Sequence, residues 1–429
     1  MRKTLLLLFA AGAMAQPTTT PLTLKQAQDM ALKNHPLVMA AENEAAAMSQ
    51  MVTESRAALY PQVSADLTGS QGNKDARVGA GAVGASRLFN RFAQGVTLSQ
   101  LITDSGRTRS LVESSKLQAQ ASAQLSTATR YDVLVAVDHA YFEVLRAQAT
   151  VRVAEETVKA RGVLQDQVST LARNKLRSDL DVTFADVNVS DAKLLLLRAQ
   201  ESVGGAYSEL ARALGTDQVV QYQLADESLP PAPPTGAADL VTQALSNRPE
   251  LASLASSKDA AYKFVEAEHD LKRPTVSVIG VAGFLPILYP NPTGSTQVPN
   301  NYEGAAIDID FPIFNGHLFS AREEAARQRA MESDQRLREA RDRVARDVRA
   351  ALASATTAYQ RLSVTADYVK QANQALDLAQ GRYNLGLASI VEITQAQLNV
   401  TKAQIEDLSA KYDYEDQYAA LQYAMGLLR

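Results

Sequence analysis

The chain has 429 residues, 46% of them hydrophobic and 21% charged, with a formal net charge of −4. That length suits two or three ordinary domains, and that composition excludes a disordered chain. Cysteine is absent, which excludes disulfides, thiolate metal sites, cysteine nucleophiles and a lipid-modified N-terminal cysteine, while the slightly acidic balance offers nucleic acid nothing.

The chain opens with Met1-Arg2-Lys3, an apolar run from Leu5 to Ala11, and Ala13-Met14-Ala15 before Gln16. This predicts a secretory signal over 1–15 with an A-x-A cleavage site, because the run is shorter than the roughly 20 residues of a membrane-spanning helix. No later run approaches that length, so any membrane insertion has to use β-structure.

Beyond this segment the chain is a duplication. Ala31-Leu32-Lys33-Asn34-His35-Pro36 returns 213 residues later as Ala244-Leu245-Ser246-Asn247-Arg248-Pro249, and a second proline, Pro61 or Pro274, stands 25 residues past the first proline of each copy. A period this long predicts two fused copies of one unit, 16–228 and 237–429, joined by a stiff proline-rich linker at 229–236.

Each copy reads as helix up to its second proline and then changes to strand-like alternation, at 62–68 and about 92–101 in the first copy, and at 275–283 and 305–311 in the second. In the last run Ala305, Ile307, Ile309 and Phe311 share one face, and Ala306, Asp308 and Asp310 share the other. Together with Asp66, these carboxylates predict a barrel wall between lipid and a water-filled lumen. The loops 69–91 and 285–302 are too long for tight hairpins. Tyr60, Phe89, Phe92, Phe284, Tyr289, Tyr302 and Phe314 cluster at the strand ends, where an interfacial girdle is expected.

No proline lies between Pro61 and Pro230 or after Pro312. A proline inside a helix costs about 3 kcal/mol, so these spans can hold long helices. Apolar residues at three- and four-residue steps from Leu111 to Leu171, bracketed by Gly106 and Asn174, predict a helix on the order of 100 Å long. A second helix returns over 178–214, and the other copy matches with 316–384 and 389–428. These are antiparallel coiled-coil hairpins with alanine seams. The fold class is thus mainly α with membrane β. Four strands cannot close a barrel, for which about eight are needed, so other copies of the chain have to supply the rest.

This arrangement resembles the TolC-like outer-membrane efflux channels, over about 22–428. The most specific stretch runs from Tyr383 to Gln395 and is similar to that family's second periplasmic helix tip; its counterpart lies at 172–184, with Leu176, Ser178, Leu180, Asp181 and Val182 in matching places. The junctions Asp104-Ser105-Gly106-Arg107 and Phe314-Asn315-Gly316-His317 are similar too. The resemblance implies a homotrimer in the outer-membrane lipid, with a 12-stranded barrel and a 12-helix periplasmic tunnel. It also implies a periplasmic adaptor docked on the helix tips, around Asn174, Leu176, Ser178, Gly386, Leu387 and Ser389, and an inner-membrane transporter that supplies the energy.

The family narrows its tunnel with rings of acidic side chains. Here Glu392 keeps the first such position and Gln395 replaces the second, with Asp181 and Tyr383 as further candidates for the constriction. Three converging Glu392 carboxylates would repel one another when ionised, making closure pH-sensitive. A second reading stands beside this one: Ser389-x-x-Glu392 and Ser178-x-x-Asp181 have the form of capping boxes. Gly386 reads as a left-handed helix C-terminus, and Tyr383 either braces the tip by hydrogen bonding or packs in the coiled coil.

Other signals lead nowhere. Gly79-Ala-Gly81-Ala-Val-Gly84 fits G-x-G-x-x-G but lies between strands, without the strand-glycine-helix order of a dinucleotide site. His35, His139, His269 and His317 lack metal-ligand spacing, and no catalytic arrangement or cofactor motif is present. The rival function is a soluble periplasmic coiled-coil adaptor, but such a protein carries one hairpin where this chain carries two.

Overall fold

The computed structural model describes residues 21–70, 77–78, 86–87, 91–285 and 301–428. The expected signal over 1–15, the Gly79-to-Gly84 cluster and two of the aromatics, Phe89 and Tyr289, lie outside the described residues. The first copy runs α1 (Leu24–Asn34), α2 (Pro36–Ala57), β1 (Gln62–Ser70), β2 (Arg77–Val78), β3 (Ser86–Arg87), β4 (Arg91–Thr103), α3 (Arg107–Arg173) and α4 (Asp179–Ala213). The second runs α5 (Ala237–Asn247), α6 (Pro249–Asp270), β5 (Thr275–Phe284), β6 (Asn301–Asp310), α7 (Leu318–Asn384) and α8 (Ile390–Ala424). Corresponding helices match to the residue, with 11, 22, 67 and 35 residues in each copy.

The repeated Asn-x-Pro explains the first break in each copy. His35 and Arg248 are extended, at φ/ψ of −71/123 and −70/120, as a residue before proline prefers. The proline then opens the next helix, at a position whose N–H would have no helical partner anyway. Thr23 and Gln26 close the start of α1 with a capping box. Pro61 and Pro274 stand immediately before β1 and β5. Some boundaries differ from the sequence reading. β4 extends to Thr103, a short β2–β3 hairpin occupies part of the first long loop, and β6 ends at Asp310, leaving Phe311 beyond the strand.

The chain forms two compact units. One contains 40–129 and 248–345, the other 130–247 and 346–429 with the segment before residue 40. The first holds a four-stranded antiparallel sheet in the order β1-β4-β5-β6. Its register aligns Asp66 with Gly95, Gly95 with Gly283 and Gly283 with Tyr302, while Asp308 stands opposite Ser277 and Asp310 opposite Thr275. Directly opposed residues share a face. Asp66, Asp308 and Asp310 therefore lie on one face, with Gln62, Ser64, Thr97 and Ser99. The other face carries Val63, Leu67, Phe92, Val96, Leu98, Phe284, Ile307 and Ile309, all exposed, from 39% to 73%. Tyr302 lies on the carboxylate-bearing face, opposite to Phe92 and Phe284, with which the sequence reading grouped it.

The second unit packs α1 against the middle of α3 and the end of α4, around Ala27, Ala31, Val137, Tyr141, Val144 and Leu210. The chain leaving α4 is laced onto this core. Leu22 and Leu224 form a parallel bridge, the Tyr141 hydroxyl lies 2.8 Å from the Leu22 carbonyl and 2.7 Å from that of Ala225, and the Lys411 Nζ donates to Asp226 at 2.7 Å.

Candidate functional site: the helix tips

Residues 174–178 join α3 to α4, and 385–389 join α7 to α8. Both turns end the preceding helix with the same pair of backbone bonds. Lys175 N–H donates to the Ala172 carbonyl (2.8 Å) and Leu176 N–H to that of Leu171 (2.9 Å); Gly386 N–H donates to Tyr383 (3.0 Å) and Leu387 N–H to Arg382 (2.8 Å). This is the Schellman arrangement, which needs a left-handed residue at its centre. Gly386 takes it at φ 75, whereas in the first copy Lys175 takes it at φ 58. A Cβ there costs about 1–2 kcal/mol. Asn174 donates from Nδ2 to the Thr170 carbonyl, and Leu176 and Leu387 stand 68% and 66% exposed.

The starts of α4 and α8 differ more. Ser178 and Asp181 form a full capping box: Asp181 N–H donates to Ser178 Oγ (3.2 Å), while Ser178 N–H and Oγ donate to Asp181 Oδ2 (3.1 and 3.0 Å). The Asp181 carboxylate is thus committed to its own helix start. Ser389 has the same extended backbone but makes no side-chain cap bond, which corrects the capping-box reading of Ser389-x-x-Glu392. Glu392 pairs instead with Arg382, Nε to Oε1 at 3.0 Å, and Arg382 also donates to the Leu387 carbonyl at 3.3 Å. Gln395 is exposed and donates to Asn399 (3.1 Å).

Tyr383 ties the two tips together. It is 1% exposed in a cluster with Leu164, Val168, Ala185, Ile390 and Ile393. The Arg177 guanidinium sits 4.3 Å above its ring and donates to its carbonyl at 3.0 Å, a cation–π contact with a backbone bond added. Its hydroxyl finds no partner among the described residues, so the ring packs and does not brace by hydrogen bonding. Burial pushes this phenol's pKa up, against the pull of Arg177. Sequence reasoning missed Arg177, Arg382 and Lys175. Only Lys175 left a trace, since it stands 211 residues before Gly386, in the register of the repeat.

Of the buried carboxylates outside the tips, Asp138, Glu268, Glu323 and Glu415, two are pushed up by burial. Burial pushes Asp138 up to about 6, against a hydrogen bond from Gln28 at 2.6 Å. Glu415, 2% exposed and with neither oxygen bonded among the described residues, is pushed by burial up to about 7, with Lys411 opposing and Asp226 and Glu227 adding to the rise. Among the described residues no group of His, Cys, Asp or Glu is arranged to hold a metal, and no helix is long and apolar enough to cross a membrane.

Known proteins are similar to this chain in sequence and in fold. The TolC outer membrane protein of Vibrio cholerae is 22% identical over 429 residues, covering 99% of this chain and 96% of that protein. The toluene efflux pump outer membrane protein TtgC of Pseudomonas putida is 25% identical over 388 residues, covering 88% and 77%. Among solved structures, the outer membrane protein VceC of Vibrio cholerae superposes with a TM-score of 0.77 at 18% identity, over 94% of this chain and 96% of that one. The family model of the outer membrane efflux proteins matches twice, over 27–216 and 240–427, once in each copy. With both copies matched nearly end to end, this chain belongs to the outer membrane efflux protein family.

Proposed function

We propose that three copies of this chain form an outer-membrane exit duct, their sheets closing a twelve-stranded barrel and their long helices a periplasmic tunnel. The observation that carries this reading is the sheet. β1 and β6 are edge strands, one face bears Asp66, Asp308 and Asp310, and the other, though it also carries Gln94, Gln100 and Glu303, is mainly apolar and exposed. Open edges cannot be left unpaired in hydrocarbon, so the sheet has to close with others. The apolar face then meets lipid, and the carboxylates line a lumen with a modest preference for cations.

At the tips, the exposed leucines Leu176 and Leu387, with Asn174, Ser178, Gly386 and Ser389 around them, offer a periplasmic adaptor its docking surface. An inner-membrane transporter supplies the energy and selects the cargo. Glu392 is the gate residue, with Gln395 beside it and Tyr383 as the packed support behind. Asp181 is occupied by its cap, which leaves Glu392 as the acidic ring. The rival reading, a soluble adaptor, loses to the family match in both copies.

The test is single-channel recording from detergent-extracted protein in planar bilayers, for wild type and Glu392→Ala, from acidic to neutral pH. Small pH-dependent openings that enlarge and lose their pH dependence in the variant are expected. Unchanged openings would remove Glu392 from the gate, and an inserted trimer without conductance would end the duct reading.

A further inference from the structure

The register of the sheet leaves a hole in the carboxylate-bearing face. In the row that starts at Asp66, the next two positions are Gly95 and Gly283, and the fourth is Tyr302. Two adjacent glycines on neighbouring strands remove two side chains from the wall. The Tyr302 side chain fills that space, reaching from β6 across β5 to β4. A Cβ placed on Gly95 would run into the Tyr302 hydroxyl, with the ring carbon Cζ 3.5 Å away, and one placed on Gly283 would stand 2.5 Å from Cζ. The ring therefore lies along the wall, covering backbone that no side chain protects, as aromatics do over cross-strand glycines.

The two glycines are not equivalent. At Gly283 a Cβ also meets the Gln94 carbonyl at 2.6 Å, so a methyl there strains the sheet itself. At Gly95 the nearest backbone atom, the Ala282 carbonyl, is 3.4 Å away, which is an ordinary contact. The one obstacle at Gly95 is the far end of a side chain, and that end can move. With β1 and β4 behind the hydroxyl and the wall beneath it, the direction left open to the ring is away from the sheet.

We infer that Tyr302 sets the bore of the duct, held flat against the lumen wall by the absence of side chains at Gly95 and Gly283. The inference rests on the reading of the carboxylate-bearing face as the lumen. In the trimer, three phenols lie against the wall at one level, beside three Asp66 carboxylates. Raised from the wall, they would narrow the passage and bring three aromatic faces to a cation held by that acidic ring. Tyr302 with its glycines is thus a specificity-determining element for the size and charge of what passes.

Gly95→Ala, Tyr302→Ala and the double variant test this, read by block of the single-channel current with tetrabutylammonium added on the barrel side and by a cryo-EM structure of Gly95→Ala. The expected result is a ring lifted from the wall in Gly95→Ala and block at lower tetrabutylammonium concentration than in wild type. The double variant returns to wild-type block or weaker, and Tyr302→Ala alone is blocked no more readily than wild type. A ring that stays on the wall in Gly95→Ala, or a double variant blocked as readily as the single, overturns the inference while leaving the duct intact. Inserted wild-type trimers that carry no current would take the duct reading and this inference down together.

Discussion

The two tips share a backbone and divide the chemistry. Both end a 67-residue helix in the same hydrogen-bonded turn and restart it with a 35-residue helix. In the first tip, Ser178 and Asp181 satisfy each other and a lysine bears the left-handed strain. In the second, glycine removes the strain, the serine caps nothing, and the acid is free for an ion pair with Arg382. Duplication preserved the geometry, which depends on backbone bonds. Side-chain roles were then free to separate, leaving one tip closed on itself and the other with an acid paired to an arginine.

The largest test of that division is at Tyr383, whose place in the first copy is held by Ala172. Tyr383→Ala empties the centre of the tip cluster, and a loss of about 3–5 kcal/mol is expected from comparable aromatic truncations. Tyr383→Phe removes a buried hydroxyl with no partner among the described residues and is expected to be neutral or slightly stabilising. Thermal unfolding of the purified protein measures both. A phenylalanine variant that loses more than about 1 kcal/mol would show that the hydroxyl bonds to another copy.

Buried carboxylates separate the copies next. In the repeat register Glu415 corresponds to Gly204 and Asp138 to Arg349, so each buried acid is private to one copy. The folded protein holds Glu415 at about 7 and Asp138 at about 6, both above their unfolded values. The folded state therefore binds protons more tightly, and stability fully present below the ordinary carboxylate range is lost as pH rises from there, the loss being complete once pH passes about 6 for Asp138 and about 7 for Glu415. Glu415→Gln keeps the shape and removes the titration, so the melting temperature of the variant should gain most over wild type above pH 7. The gain is roughly 2–3 kcal/mol. Equal melting profiles for both proteins across pH 5 to 8 would show that Glu415 stays ionised.

Capping gives a smaller and sharper contrast. Ser178→Ala breaks a bonded cap and should cost about 1 kcal/mol, whereas Ser389→Ala should change stability by no more than a few tenths. Hydrogen exchange at the first turns of α4 and α8 reads each separately. Equal losses at both would mean that Ser389 caps its helix in solution and that the tips are chemically alike.

These contrasts mark how far the sequence could be read. The helices and strands were legible because prolines and periodicity act locally: Asn-x-Pro breaks a helix wherever it stands, and the alternation at Ala306, Asp308 and Asp310 requires a two-faced strand. The pairing order β1-β4-β5-β6 and the register that puts Asp66 beside Gly95 depend on contacts between residues far apart in the chain. Tyr302 was grouped with Phe92 and Phe284 for that reason, since its position at a strand end said nothing of which face it takes. At the tips, S-x-x-E and S-x-x-D were indistinguishable as patterns. What decided between them was Arg382, one turn before the loop, whose guanidinium reaches Glu392 across residues 385–389 and draws the carboxylate from the helix start.

That ion pair supplies the smallest prediction and the one closest to function. Arg382 and Glu392 are 57% and 43% exposed, so water and salt screen their attraction, and Arg382→Ala should cost only a few tenths of a kcal/mol. Its effect on the channel should be larger than its effect on stability. In each chain Glu392 has a cation 3.0 Å away, which would offset repulsion among three copies of the acid in the proposed gate. Without Arg382 the three carboxylates of the proposed gate would repel with no counter-charge, and openings at neutral pH should become longer, while Glu392→Gln, which keeps the length that Glu392→Ala removes and drops only the charge, restores the closed state in the same background. Single-channel dwell times check both variants. Dwell times that ignore Arg382→Ala while responding to Glu392→Ala would mean that Glu392 leaves Arg382 when the trimer forms, and that the pair belongs to the single chain alone.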